Sequence, residues 1–284
     1  MSLFGAQIER LVEYALAEDL GWGDATTDAL IPPDLRGEAS ILVKASGVLA
    51  GIEAARMVFH KIDPSLQVKV LIQDGTNVQR GDIAATVEGN LASVLKGERV
   101  ALNFLQRLSG IASETARYVE AIAGSTACIL DTRKTTPGFR LLEKYAVRAG
   151  GGKNHRQHLG DGILIKDNHL AGLRPEMGLK EIIAQARRAA PHSLRIEVEV
   201  STPEEALESV EAGADIVMLD NMSLEQMRRA VELVEGRALI EASGGITLDN
   251  VRSVAETGAD LISVGALTHS VKALDISLEL KSKA

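Results

Sequence analysis

The chain has 284 residues, 45% of them hydrophobic and 25% charged, which is the balance of a globular protein large enough to bury a full core. Its net charge of −8 argues against general nucleic-acid binding, and no apolar stretch reaches the length that crossing a membrane needs. The single cysteine excludes an internal disulfide framework and fits a reducing compartment, so we expect a cytoplasmic protein without nucleic-acid or membrane partners.

The N-terminal part of the chain is predicted to begin with an amphipathic helix, because Ile8, Leu11 and Leu16 recur at helical spacing. Between about residues 35 and 89, short apolar runs are separated by turns rich in Gly and Asp, which indicates a compact α+β domain. Residues 94–122 are predicted to be helical, with a break near Ser109 and Gly110.

From residue 127 onward, predicted strands alternate with predicted helices. The strands are expected at residues 127–131, 163–166, 195–200, 216–219, 239–242 and 261–264. This alternation predicts βαβ units and a parallel sheet. Residues that could take part in binding or catalysis follow nearly every strand, which favours a (β/α) barrel over a doubly wound sheet. Because only six clear strands are found, the barrel is predicted to be open or incomplete.

Charged residues are concentrated where the carboxyl ends of these strands would meet. Residues 131–170 hold eight Lys and Arg against four Asp and Glu. Such a segment could be a solvated basic surface. However, four cations at one mouth would repel one another without an anion, which favours a polyanionic ligand. The four are Arg133, Lys134, Arg156 and Lys166.

Two acids and two glycine turns complete this mouth. Glu199 and Asp220 end neighbouring strands, where either could simply cap the next helix, but together they could hold Mg²⁺ through water beside a bound pyrophosphate. Glu197 shares a strand face with Glu199, and Glu199 is favoured because it lies nearer the strand end. Ser243–Gly245 and Gly265–Ala266 follow the last two strands, which is the usual phosphate position of such barrels.

Several motifs resemble those of the quinolinate phosphoribosyltransferase family, and the similarity runs from Glu18 to Asp275. The motifs are residues 103–112, 131–138, 150–156, 165–169, 243–245 and 263–270. The resemblance implies an N-terminal α/β sandwich domain with a linking helix in residues 1–112. It also implies an α/β barrel catalytic domain with a C-terminal helix in residues 113–284, and a homodimer or a higher oligomer.

The resemblance also implies conversion of quinolinate and phosphoribosyl pyrophosphate to nicotinate mononucleotide, pyrophosphate and CO2 in NAD biosynthesis, with Mg²⁺. Lys134, Glu199 and Asp220 would be catalytic, and the two acids would also hold the metal. Arg99 would reach the site of the neighbouring subunit. The residues implied to bind the substrates are Arg99, Thr132, Arg133, Lys134, His155, Arg156, Lys166, Glu199, Asp220, Ser243, Gly244, Gly245, Val264, Gly265 and Ala266.

Three alternatives remain open at the level of sequence. Lys134 or Lys166 at a strand end could instead serve a Schiff-base aldolase. A paralogue of the family associated with molybdenum transport shares the resemblance, although the complete set of cations on the quinolinate side argues against it. The turn-rich residues 73–89 resemble a lipoyl or biotinyl carrier hairpin, but they have no lysine at the turn to carry the group.

Overall fold

The computed structural model describes residues 5–173 and 176–281 and divides into two compact units. The first unit comprises the chain up to Ala116, the segment Thr135–Gly151 and the residues from Leu267 onward. The second comprises Arg117–Lys134 and Gly152–Ala266. The units therefore interleave along the chain, whereas the prediction gave each domain one contiguous segment.

Among the described residues, nine elements precede the barrel strands. They are α1 (Ala6–Leu20), α2 (Ala25–Leu30), β1 (Arg36–Val43), β2 (Gly47–Val48), α3 (Ile52–Ile62), β3 (Gln67–Val70), β4 (Asn77–Val78), β5 (Ile83–Asn90) and α4 (Leu91–Ala121).

The elements after α4 alternate in type for most of the remaining chain. They are β6 (Cys128–Leu130), α5 (Arg140–Ala149), β7 (Ile163–Ile165), α6 (Asp167–Leu173), α7 (Leu179–Ala189), β8 (Ile196–Val200), α8 (Pro203–Glu211), β9 (Ile216–Asp220), α9 (Leu224–Val234), β10 (Leu239–Ser243), α10 (Val251–Ala255), β11 (Leu261–Ser263), α11 (Ala266–His269) and β12 (Ile276–Leu280). Within the described residues, no helix has both the length and the hydropathy required to cross a bilayer.

The first unit contains an antiparallel sheet in the order β12-β1-β5-β3. The edge strand β12 covers Ile276–Leu280, where the prediction had a C-terminal helix, so that prediction is wrong. The sequence of β12 alternates apolar and polar residues, which is the period of a strand and not of a helix. Ile41 of β1 pairs with Leu278 of β12, so the end of the chain completes the sheet begun near its start.

Helix α4 is continuous, which corrects the predicted break near Ser109 and Gly110. The Ser109 hydroxyl is buried and bonds the Ala50 backbone, accepting from its N–H at 3.0 Å and donating to its carbonyl at 3.2 Å. A Cβ added at Gly110 would lie 2.2 Å from the Lys272 carbonyl oxygen. These small residues therefore allow close packing against the helix and do not interrupt it.

The second unit contains six parallel strands in the order β6-β11-β10-β9-β8-β7. The first strand pairs with the last, as in a closed barrel, but within the described residues no ladder joins β6 to β7. Lys153 bridges to Leu130 beside this opening. The predicted open (β/α) barrel is confirmed, and all six predicted strands are present.

Candidate active site

A cavity of about 630 Å³ lies in the second unit and is lined by strand ends and the loops that follow them. It brings together eleven of the residues singled out from the sequence. These are Thr132, Arg133, Lys134, His155, Arg156, Lys166, Glu199, Asp220, Ser243, Gly244 and Gly245. The lining also includes Leu164, Asp167, Met218, Asn221, Glu241 and Ser263, which the sequence had not marked as site residues.

Four predicted site residues are outside this lining. Val264 is buried, and its N–H donates to the Leu130 carbonyl at 2.9 Å, so it joins the last strand to the first. Gly265 and Ala266 follow it directly, and the cavity wall instead includes Ser263. Arg99 lies on α4 in the first unit, where its side chain is 59% exposed and 3.7 Å from Glu98.

The two acids at strand ends are not helix caps. Thr202 caps α8, accepting from the Glu205 N–H, and Ser223 caps α9, accepting from the Gln226 N–H. Each cap lies three residues beyond an acidic strand end. Glu199 and Asp220 therefore remain available to the cavity, which removes the simpler explanation for their positions.

Glu199 and Lys166 form an ion pair at the cavity wall. The Lys166 Nζ lies 3.0 Å from the Glu199 Oε2, and the Glu199 side chain is 11% exposed. A lysine engaged with a carboxylate is less available as a nucleophile, so the contact counts against Schiff-base chemistry at Lys166.

Asp131 fixes the loop that carries His155. Asp131 directly follows β6, and its buried carboxylate accepts the His155 backbone N–H at 2.9 Å. The His155 Nδ1 in turn accepts the Arg156 N–H at 2.7 Å. A neutral imidazole that accepts at Nδ1 carries its proton at Nε2, so these contacts set the tautomer of His155.

The Nε2 of His155 faces two buried carboxylates. It lies 3.3 Å from Glu197 Oε2 and 3.6 Å from Glu241 Oε2. The donor atoms of these three side chains lie within 4.8 Å of one another, a spacing that a metal ion could also use. With Nδ1 accepting the Arg156 N–H, a neutral His155 directs its Nε2–H toward these carboxylates.

Burial and the charge of Glu197 raise the pKa of Glu241 to about 8. Glu241 was not identified from the sequence. The signal available was an acid inside the apolar run Leu239–Ala242, since a buried carboxyl group in a strand needs a polar partner. That signal gives a buried position and does not by itself indicate a cavity.

The cations of the cavity influence one another. Burial, followed by the nearby charge of Arg133, lowers the pKa of the Arg156 guanidinium from its usual value. Glu197 acts in the opposite direction. Since guanidinium groups stay charged in proteins, a bound anion would offset the cost of placing them together.

The turn after β10 requires a left-handed backbone. Gly244 has a φ of +91° and Gly245 a φ of +62°. Nothing lies within 4 Å of a Cβ added at Gly245, whereas a Cβ at Gly244 would lie 2.2 Å from the Asn221 Oδ1. The second glycine therefore leaves open space beside the backbone, which suits a phosphate group.

Two family models match nearly the whole chain. Residues 24–109 match the N-terminal domain of quinolinate phosphoribosyl transferase, and residues 111–279 match its C-terminal domain. The matched regions contain all the cavity-lining residues.

Named relatives and solved structures agree with these models. The chain is 43% identical over 274 residues to a probable nicotinate-nucleotide pyrophosphorylase [carboxylating] of Bacillus subtilis, covering 96% of this chain and 93% of that one. It is 42% identical to the chloroplastic nicotinate-nucleotide pyrophosphorylase [carboxylating] of Arabidopsis thaliana, covering 97% and 83%. The crystal structure of NadC from Streptococcus pyogenes superposes with a TM-score of 0.95 at 43% identity, covering all of both chains. The chain therefore belongs to the quinolinate phosphoribosyltransferase family.

Proposed function

We propose that this protein transfers the phosphoribosyl group of phosphoribosyl pyrophosphate to the ring nitrogen of quinolinate. The products are nicotinate mononucleotide, pyrophosphate and CO2, and the reaction belongs to NAD biosynthesis. The observation that carries this proposal is a single cavity lined by four cations, two strand-end carboxylates and a glycine turn. Quinolinate brings two carboxylates and its partner brings three phosphate groups, so the two substrates offset the positive charge of the cavity.

Quinolinate is assigned to the side of the cavity that carries Arg133, His155, Arg156 and Lys166. A guanidinium can bind a carboxylate through two parallel hydrogen bonds, which fixes the orientation of the pyridine ring. Arg99 of a second subunit would add a further guanidinium, and Thr132 lines the same cavity. The protein is accordingly proposed to act as a homodimer in the cytoplasm.

The phosphoribosyl side is assigned to Glu199, Asp220 and the turn Ser243–Gly245. Val264–Ala266 follow the last barrel strand and lie outside the cavity lining, next to Ser263, and they would help to bind the 5′-phosphate. The donor set fits Mg²⁺, which prefers carboxylate oxygens and retains several waters. When bound, Mg²⁺ would offset negative charge on the leaving pyrophosphate.

The side chains account for the chemistry as follows. The ring nitrogen attacks C1 of the ribose as the C1–pyrophosphate bond breaks, and the carboxylates of Glu199 and Asp220 stabilise the positive charge that develops on the sugar. We assign Lys134, which lines the cavity, a position between the two substrates, where its positive charge would offset charge on the leaving group. Loss of CO2 then leaves the electron pair of the broken C–C bond on the adjacent ring carbon, where the positively charged nitrogen stabilises it, and a proton added to that carbon completes the product. No covalent enzyme intermediate is required.

A substrate comparison tests the proposal. Carboxyl-labelled quinolinate should release one labelled CO2 for each pyrophosphate formed, and nicotinate should be a very poor substrate. Nicotinate lacks one carboxylate and leaves a charged group of the site unpaired, which can reduce kcat/KM by about 10⁴-fold in sites built to pair a polar group. Pyrophosphate release from nicotinate at a comparable rate, or nucleotide formation without CO2, would contradict the proposal.

A further inference from the structure

We propose that Asn221 is a positioning residue that ties the carboxylate of Asp220 to the turn Ser243–Gly245. The two groups that hold opposite ends of the phosphoribosyl unit would then keep a fixed separation. The inference deepens the proposed function and rests on it, since it concerns the same cavity. Asn221 lines that cavity, and the sequence alone assigned it no role.

Asn221 contacts both groups at once. Its side-chain Nδ2 donates to the Asp220 Oδ2 at 3.0 Å. Its backbone N–H donates to the Ser243 carbonyl oxygen at 2.9 Å. Because the amide nitrogen is required opposite the carboxylate, the amide oxygen faces the other way, toward the glycine turn.

The amide oxygen packs against Gly244. A Cβ added at that glycine would lie 2.2 Å from the Asn221 Oδ1 and 2.6 Å from its Cγ. No side chain fits between them, so the turn and the amide are in direct contact. One side chain therefore touches the metal-side acid and the phosphate-side turn together.

The backbone of Asn221 supports a special role. Its φ is +53°, in the left-handed region that L residues other than Asn and Asp rarely adopt. Among the described residues, the other non-glycine residue in this region is Glu235, an exposed residue that ends α9. Glu235 is explained by the end of a helix, whereas Asn221 directly follows a strand at the cavity wall.

Two substitutions distinguish the effect of the Asn221 side chain from that of its left-handed backbone. Asn221→Gly retains the left-handed backbone and removes the amide, so kcat/KM for phosphoribosyl pyrophosphate should fall roughly 10- to 100-fold, the range for losing a hydrogen bond to a charged group. Asn221→Asp retains the shape but places a second carboxylate beside Asp220, and its loss should be at least as large. In both variants KM for quinolinate should stay within about twofold of wild type, since the groups that Asn221 contacts are on the phosphoribosyl side of the proposed site.

A double-mutant cycle tests the contact with the turn. Gly244→Ala alone introduces left-handed strain and a clash with the amide oxygen. In the Asn221→Gly background the strain remains but the clash is absent, so Gly244→Ala should cost at least about threefold less. The readout is the dissociation constant of ribose 5-phosphate, measured by calorimetry without added metal, so that it does not depend on turnover.

Glu235→Gly is the matched control, because it makes the same replacement at the other left-handed position and should leave all kinetic constants unchanged. Circular dichroism establishes whether each variant is folded. If Asn221→Gly does not fold, Asn221→Asp takes its place as the test variant. Wild-type kcat/KM in a folded Asn221→Gly, or a purely multiplicative cycle, would overturn the inference. If wild type itself forms no nucleotide from quinolinate, the proposed function fails instead.

Discussion

The depth of a side chain along its strand decides its role in this cavity. Glu197 and Glu199 lie two residues apart on β8 and share one face. Glu199, at the strand end, pairs with Lys166 at the cavity wall, while Glu197 is buried and faces His155. Two identical side chains therefore have different surroundings, since Glu199 lines the cavity and Glu197 contacts the imidazole of His155.

The strand-end acids should be essential for turnover. Glu199→Ala and Asp220→Ala are each expected to lower kcat by roughly 10²-fold or more, the effect of removing one preorganised interaction with the transition state. Steady-state kinetics on folded variants measures this, and Glu232→Ala on the exposed face of α9 provides the control. Turnover at the wild-type rate in both active-site variants would remove these residues from the mechanism.

Glu241 should make the stability of the fold depend on pH. Its folded pKa of about 8 lies above its ordinary value of 4.5, so the folded state holds this proton more tightly than the unfolded chain does. The resulting stability is fully present below about pH 4.5 and is lost as the pH rises toward 8. The titratable groups facing Glu241 are Glu197 and His155, and the Ser263 side chain also hydrogen-bonds to it.

In Glu241→Gln this contribution is absent. The free energy of unfolding should therefore fall less between the acidic and the alkaline end of that range than it does in wild type. Denaturant titrations at both ends provide the measurement, with Glu232→Gln as an exposed control. Parallel pH dependences in wild type and Glu241→Gln would show that the carboxyl group is not protonated in the folded state.

At the scale of elements, the sequence predicted the six barrel strands because each is a short apolar run ended by a polar or glycine residue. It also located most of the cavity lining, since the carboxyl ends of parallel strands converge. Glu241 and Asn221 were not found, because one depends on depth within a strand and the other on a left-handed backbone. Neither property is visible in a local pattern of residue types.

The elements that were wrongly predicted depend on contacts distant in sequence. Glycine usually weakens a helix, but Gly110 allows the backbone of Lys272 to pack closely against α4. The strand β12 has the alternation of a strand over only five residues, and it is completed by pairing with β1. Local propensity cannot report partners more than a hundred residues away.

Gly110→Ala should therefore destabilise the protein, although alanine favours helix by about 1 kcal/mol. The new Cβ would lie 2.2 Å from a backbone oxygen, and overpacking of this kind costs about 1–3 kcal/mol. The comparison is Gly172→Ala in α6, where nothing lies within 4 Å and the substitution should be neutral or stabilising. Thermal unfolding of both variants measures the difference, and equal shifts would show that packing at Gly110 is not tight.

At the scale of the whole molecule, the proposed dimer predicts complementation between inactive chains. If Arg99 serves the neighbouring subunit, mixing Arg99→Ala with Lys134→Ala should restore activity, because one site of a mixed dimer carries both defects and the other carries neither. The exposed guanidinium of Arg99 is available for such a contact. Activity is assayed after subunit exchange has been demonstrated, and no recovery would show that Arg99 acts within its own chain or that the dimer is wrong.

The interleaved order of the two units also determines when the protein can finish folding during synthesis. The backbone N–H of Lys281 donates to the carbonyl of Glu38, so two residues 243 positions apart must meet. While a ribosome is still adding the barrel, β1 has an unpaired edge that another chain could bind. We therefore expect the nascent protein to be prone to aggregation until β12 emerges, because the sheet that contains β1 can be completed only then.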